Sequence, residues 1–199
     1  MPCAMMHLQC ARLYNENADI AFFIGNIAPD CIDEREFKDR NHLRIYKGEE
    51  RLNKLHELAR ALDLSRPYQL GVLLHLYTDM CWDRGPMAEH KRSYTGDDWF
   101  HDYRQEIRYI SKYMYKNEAW APVLWDEIDN APPELYSDID YYPTDKIKGY
   151  IEHNVRTHPL PPAIPSKAFP NEVVYDFCKK SVESFGLWLI NNNIEGSSK

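Results

Sequence analysis

Apolar side chains recur every three or four positions through most of the chain. That is the period of an α-helix with one buried face. The pattern predicts helices over residues 3–15, 19–27, 49–62, 67–82, 97–115, 119–128, 146–156 and 171–191. In 49–62, Leu52, Leu55, Leu58, Ala59 and Leu62 share one face and the charges take the other. Residues 67–82 are almost wholly apolar, as expected of a helix surrounded by others. Asp19 is suited to cap the second helix, and Pro29 limits its extension. Residues 30–48, 84–96, 131–144 and 159–170 read as irregular. The five prolines of the last exclude a continuous helix and suggest an extended path over the surface. Residues 196–199 read as a frayed tail. Alternating apolar runs with hairpin turns are scarce. The fold class is therefore all-α, a compact bundle of seven or eight helices with residues 1–199 in one domain.

Composition changes this picture little. A chain of 199 residues buries about two thirds of its unfolded surface, so the core needs no disulfides. The five cysteines, Cys3, Cys10, Cys31, Cys81 and Cys178, are odd in number and form no Cys-x-x-Cys pair. They read as free thiols in a reducing compartment. The N-terminus lacks the basic and apolar regions of a secretory signal. The longest uninterrupted apolar stretches, such as 21–25 and 71–74, are far shorter than the roughly 20 residues of a membrane span. A cytoplasmic protein is expected. The net charge of −7 argues against strong nucleic-acid binding.

Four places carry candidate chemistry. His75 and Asp79 sit one helical turn apart on one face of the most apolar helix. A carboxylate buried there without a partner costs several kcal/mol. A His–Asp hydrogen bond between helices and a shared metal ion are both answers. Asp30 follows Pro29 at the C-terminal end of an apolar helix, where the helix dipole disfavours an anion. A solvated turn or a nearby cation would account for it. His42 lies in a polar segment, as a surface histidine or a ligand. His7 stands among Met5, Met6, Leu8 and Cys10, as a core histidine or a ligand.

Together these motifs resemble a known family. His7, the string Gly25-Asn-Ile-Ala-Pro-Asp30, His42 and the Gly71-x-x-x-His75-x-x-x-Asp79 helix occur in the order seen in zinc-dependent phospholipases C. That family is structurally related to single-strand-specific nucleases. The resemblance implies an all-α bundle of that type and a metal-dependent hydrolase of phosphoesters. One ion would be held by Asp30, His42 and His75 with Asp79, a second by His7 and the bridging Asp79. A water activated by the two ions would attack phosphorus, with Asp30 and Asp79 as the catalytic carboxylates. Extracellular members carry a third ion on a His-x-x-x-Glu helix. No histidine here has glutamate four residues on, so two ions are expected. Zinc is implied first, and the same ligands accept manganese, nickel or iron. The substrate would be a small-molecule or lipid phosphoester. The segment 95–106, with Trp99, Tyr103 and Arg104, could close the pocket, or be an amphipathic helix with solvated charges.

Two further readings compete. A helical phosphohydrolase could use His101-Asp102 with His75 upstream and Asp126 or Asp129 downstream, which leaves Asp30 and Asp79 unexplained. A non-catalytic helical binding protein could retain the fold.

Overall fold

Helices form wherever the apolar period is strong. The computed structural model describes residues 1–136, 139 and 142–194. Among these the α-helices are α1 (Ala4–Tyr14), α2 (Ile20–Ile27), α3 (Arg35–Asn41), α4 (Gly48–Ala61) and α5 (Pro67–Arg84). They continue with α6 (Pro86–Ser93), α7 (Trp99–Asn117), α8 (Trp120–Asp129), α9 (Thr144–Thr157) and α10 (Asn171–Asn191). Short 3₁₀ turns cover Ala28–Cys31 and Pro133–Leu135. No strand occurs among the described residues, so the all-α class holds. Asp19 caps α2 through a bond from Ala21 N, as expected. The tail at 196–199 lies outside the described residues, as do positions 137, 138, 140 and 141 of the segment 131–144.

Two expectations are corrected. The segments 30–48 and 84–96, read as irregular, contain α3 and α6. Neither helix buries a single residue fully. A helix with no buried face leaves no apolar period to read. The bundle therefore has ten α-helices among the described residues rather than seven or eight.

α5 is the centre. It packs against α1, α2, α4, α6 and α10, and nearly every residue from Tyr68 to Trp82 is buried. Trp82, Trp125, Phe22 and Phe185 are the largest fully enclosed side chains. Trp125 on α8 donates its indole N–H to the Met5 sulfur on α1, at 3.3 Å. All five cysteines are free thiols. No helix of the described residues is long and apolar enough to cross a membrane.

The closest approach is between α2 and α5. A Cβ added at Gly25 would lie 2.0 Å from the Tyr68 carbonyl oxygen, and one at Gly71 would lie 2.1 Å from that of Phe22. Both clashes are with backbone, which no side-chain rotation relieves. Asn26 fastens the crossing by donating its side-chain amide to the Gly71 carbonyl at 3.2 Å.

Elsewhere, His158 at the end of α9 is buried and lies 2.8 Å, through Nε2, from Ser111 Oγ on α7. Burial holds its pKa down to about 4.

Two predictions concern the fold. Gly25→Ala and Gly71→Ala should each destabilise by at least about 1–3 kcal/mol, the usual range for overpacking. Gly149→Ala, on α9 with nothing within 4 Å, should stabilise by about 0.5–1 kcal/mol. Urea unfolding of the three variants checks this. For His158, the unfolded chain takes up a proton below about pH 6.5 while the native chain stays neutral until about 4. Stability should therefore fall as pH drops through that window, by about 3 kcal/mol from this group. His158→Gln should remove that part of the slope in urea titrations at pH 7 and pH 4.

Candidate metal centre

The centre is assembled from four places in the chain. α1 brings His7, the 3₁₀ turn after α2 brings Asp30, the end of α3 brings His42, and α5 brings His75 and Asp79. All five are buried, with no exposure at His7, His42, His75 or Asp79. Every candidate ligand from the sequence is thus brought to one place.

Hydrogen bonds to backbone carbonyls orient two of the histidine rings. His75 Nδ1 lies 2.7 Å from the Asn26 carbonyl oxygen, and His42 Nδ1 lies 2.8 Å from that of Lys38. A carbonyl has no proton to give, so each Nδ1 donates and each Nε2 is turned away from the backbone. Burial and the adjacent His7 hold the His75 pKa well below the histidine range, so its ring is neutral. The two Nε2 atoms nevertheless face each other at 3.2 Å. His42 Nε2 is also 3.4 Å from Asp30 Oδ1 and 3.5 Å from Asp79 Oδ2. His75 Nε2 is 3.9 Å from Asp79 Oδ2.

His7 completes the cluster from the other side. Its ring stacks on His75 with centroids 3.7 Å apart, and its Nε2 is 3.6 Å from Asp79 Oδ1. Both nitrogens of His7 and both oxygens of Asp79 are buried with no hydrogen-bond partner. Leaving such atoms unsatisfied costs about 1–3 kcal/mol each, and more for a charge. Two groups have ligand atoms mutually within 4.8 Å: His7, His75 and Asp79, and Asp30, His42 and His75. Converging lone pairs, backbone-anchored imidazoles and orphaned carboxylate oxygens fit divalent cations.

Cationic neighbours that the sequence did not single out surround this core. Lys38 Nζ is 3.0 Å from Asp30 Oδ1 and supplies the cation that an aspartate at a helix C-terminus needs. Arg44 grips Asp83 through Nε and Nη2 at 2.8 and 2.9 Å and reaches within 3.6 Å of Asp79 Oδ2. Arg51 joins Asp83 at 2.9 Å to the His42 carbonyl at 3.0 Å. Burial would raise the pKa of Asp30, but Lys38 and His42 outweigh it and hold the carboxyl well below its usual range. For Asp79 burial is likewise outweighed, chiefly by Arg44 and His42. Asp83 had a signal in the sequence, since 75, 79 and 83 repeat at one-turn spacing on α5. Lys38 and Arg44 had none, because α3 itself was not expected.

The competing constellation is not assembled. His101 and Asp102 are exposed on the first turn of α7, and Asp126 and Asp129 are exposed on α8. Asp98 caps the His101 amide, and Asp102 accepts from the Tyr94 hydroxyl. The segment 95–106 does wall a cavity of about 420 Å³, through Phe100, Tyr103 and Arg104. Lys38 and Arg44 line the same cavity and link it to the cluster. Trp99 stacks on Tyr103 with centroids 5.2 Å apart.

The family model described as zinc dependent phospholipase C matches residues 3–159, which include all five clustered residues. No curated protein and no solved structure matches the chain.

If the cluster takes metal, zinc at a hundred times its dissociation constant should stabilise the chain by about 2.7 kcal/mol. Thermal unfolding with zinc and with a chelator checks this. His75→Ala and Asp79→Asn should abolish the difference, whereas His101→Ala should keep it.

Proposed function

The chain belongs to the zinc-dependent phospholipase C family, and on that premise we propose that it is a metal-dependent phosphoesterase. Two divalent ions, zinc before manganese, nickel or iron, would be held by His7, Asp30, His42, His75 and Asp79. The observation that carries this is the convergence of His42 Nε2 and His75 Nε2, 3.2 Å apart, with the carboxylates of Asp30 and Asp79. The two oxygens of Asp79 face different histidines, His7 from Oδ1 and His42 from Oδ2, which supports a bridging role. Ions bound there would lower the pKa of water and neutralise phosphate oxygens.

The chain's own groups supply the rest. Asp30, kept ionised by Lys38, is the carboxylate that orients the attacking water or takes its proton. The water oxygen bonds to phosphorus, the ester P–O bond opposite breaks, and the alcohol leaves with a proton. The Asn26 and Lys38 carbonyls hold the His75 and His42 rings with Nε2 turned toward the cluster. Lys38, Arg44 and Arg51 already match Asp30, Asp79 and Asp83 in charge. A cluster so balanced becomes cationic on gaining divalent ions and then favours an anionic ligand such as a phosphate. The substrate is a small-molecule or lipid phosphoester.

The zinc- or manganese-loaded chain should hydrolyse a chromogenic phosphodiester or phosphomonoester. Asp30→Asn and Asp79→Asn should each lower kcat/KM at least 100-fold, while Asp102→Asn should stay within twofold. A metal-loaded chain with no activity on either substrate would overturn the proposal.

A further inference from the structure

The cavity beside the metal centre is cationic in an acidic protein. Its wall carries Arg35, Lys38, Arg44, Arg104 and Arg108 against Asp33 and Asp39, while the whole chain carries −7. The balance is uneven along the wall. Lys38 and Arg44 are drawn toward Asp30 and Asp83, and Arg35 lies 3.8 Å from Asp39. Arg104 and Arg108 have no carboxylate partner among the described residues. The acids nearest them in sequence are committed elsewhere. Glu106 accepts from Ser166 Oγ and the amides of Lys167 and Ala168, and Asp102 accepts from Tyr94.

Arg104 and Arg108 stand one turn apart on α7, with Lys112 one turn further. Like charges at this spacing repel by a few tenths of a kcal/mol per pair. Phe100, one turn before, carries the Arg104 guanidinium 5.8 Å from its ring centroid. Two guanidinium forks on one rigid helix face suit the oxygens of a phosphate. They share the cavity with Lys38 and Arg44, which touch the carboxylates of the metal centre. A ligand that engages both ends must carry two anionic groups. About 420 Å³ is within the range that holds a small molecule.

We propose that the cavity is a second anion subsite and that the substrate is a phosphoester whose headgroup carries a further phosphate. One phosphate sits at the metal centre, and the other is held by Arg104 and Arg108. A zwitterionic headgroup such as phosphocholine would place a cation against these arginines. This rests on the phosphoesterase reading for the role of the first phosphate, but the subsite itself is built from the chain's own cations.

Calorimetric titration of the full chain, with and without zinc, tests it using inositol bisphosphate and phosphocholine. The bisphosphate should bind at least tenfold more tightly in both states. Arg104→Gln/Arg108→Gln should lower the ratio of the two affinities at least tenfold. Both side chains are exposed, so the variant should fold, which circular dichroism checks. Equal affinities, or a ratio unchanged in the variant, would overturn the subsite. So would binding of anionic vesicles alone, which would make the arginines a membrane-contact surface. A selective but hydrolytically inert chain would refute the phosphoesterase reading and keep the subsite. An active chain without selectivity would do the reverse.

Discussion

The close crossing of α2 and α5 is the constraint on which the rest depends. Gly25 and Gly71 let the two backbones meet where any Cβ would overlap a carbonyl group by more than an ångström. Only at that distance can the Asn26 carbonyl reach His75 Nδ1 at 2.7 Å while the Asn26 amide bonds Gly71. The crossing therefore sets the tautomer and direction of His75. It also sets where α2 ends. Pro29 turns the chain into a 3₁₀ segment that carries Asp30 toward the face of α5 bearing His75 and Asp79. The glycines in Gly25-Asn-Ile-Ala-Pro-Asp30 and Gly71-x-x-x-His75-x-x-x-Asp79 are thus the contact points of one joint, and each motif supplies half of it.

A second layer holds the centre from the solvent side. Asp83 receives Arg44 and Arg51, and Arg51 also holds the His42 carbonyl. α3, α4 and α5 are thereby tied through one carboxylate next to the cluster. The tie matters most for His42, which ends a short helix with no buried face of its own. Its own backbone contributes the Lys38 carbonyl on Nδ1, and Arg51 fixes the carbonyl of His42 itself. The ring is then constrained from both sides of its residue.

How far the sequence reveals these features follows from what each depends on. The long amphipathic helices are legible because their burial is periodic, and His75 and Asp79 because polar groups stand out in an apolar helix. Asp30 is legible as an electrostatic misfit at a helix end, although the compensating Lys38 is not. α3 and α6 are invisible to periodicity because neither buries a residue fully. His42 looks like a surface residue because its burial is created by α3 and by Arg51 reaching from α4, which are tertiary events. The family resemblance reaches the five clustered residues but says nothing of Arg44, Arg51 or Asp83, which arrange charge around them.

The cluster is built at a cost to the fold, and that cost is informative about its purpose. A His–Asp network evolved only for stability would alternate donors and acceptors, because a buried polar group gains little unless it is paired. Here the Nδ1 donors of His42 and His75 are spent on backbone carbonyls, and their Nε2 atoms meet 3.2 Å apart beside the carboxylates. Both oxygens of Asp79 are buried beside them without a hydrogen bond. Turning either ring over would break a short bond to a carbonyl and expose an N–H to its neighbour, which the packing of α2 on α5 resists. His7 and Asp79 keep buried polar atoms without a hydrogen bond, and a shared cation would satisfy them. A fold that keeps such atoms unsatisfied gives up stability there, as expected where function and not cohesion determines the geometry.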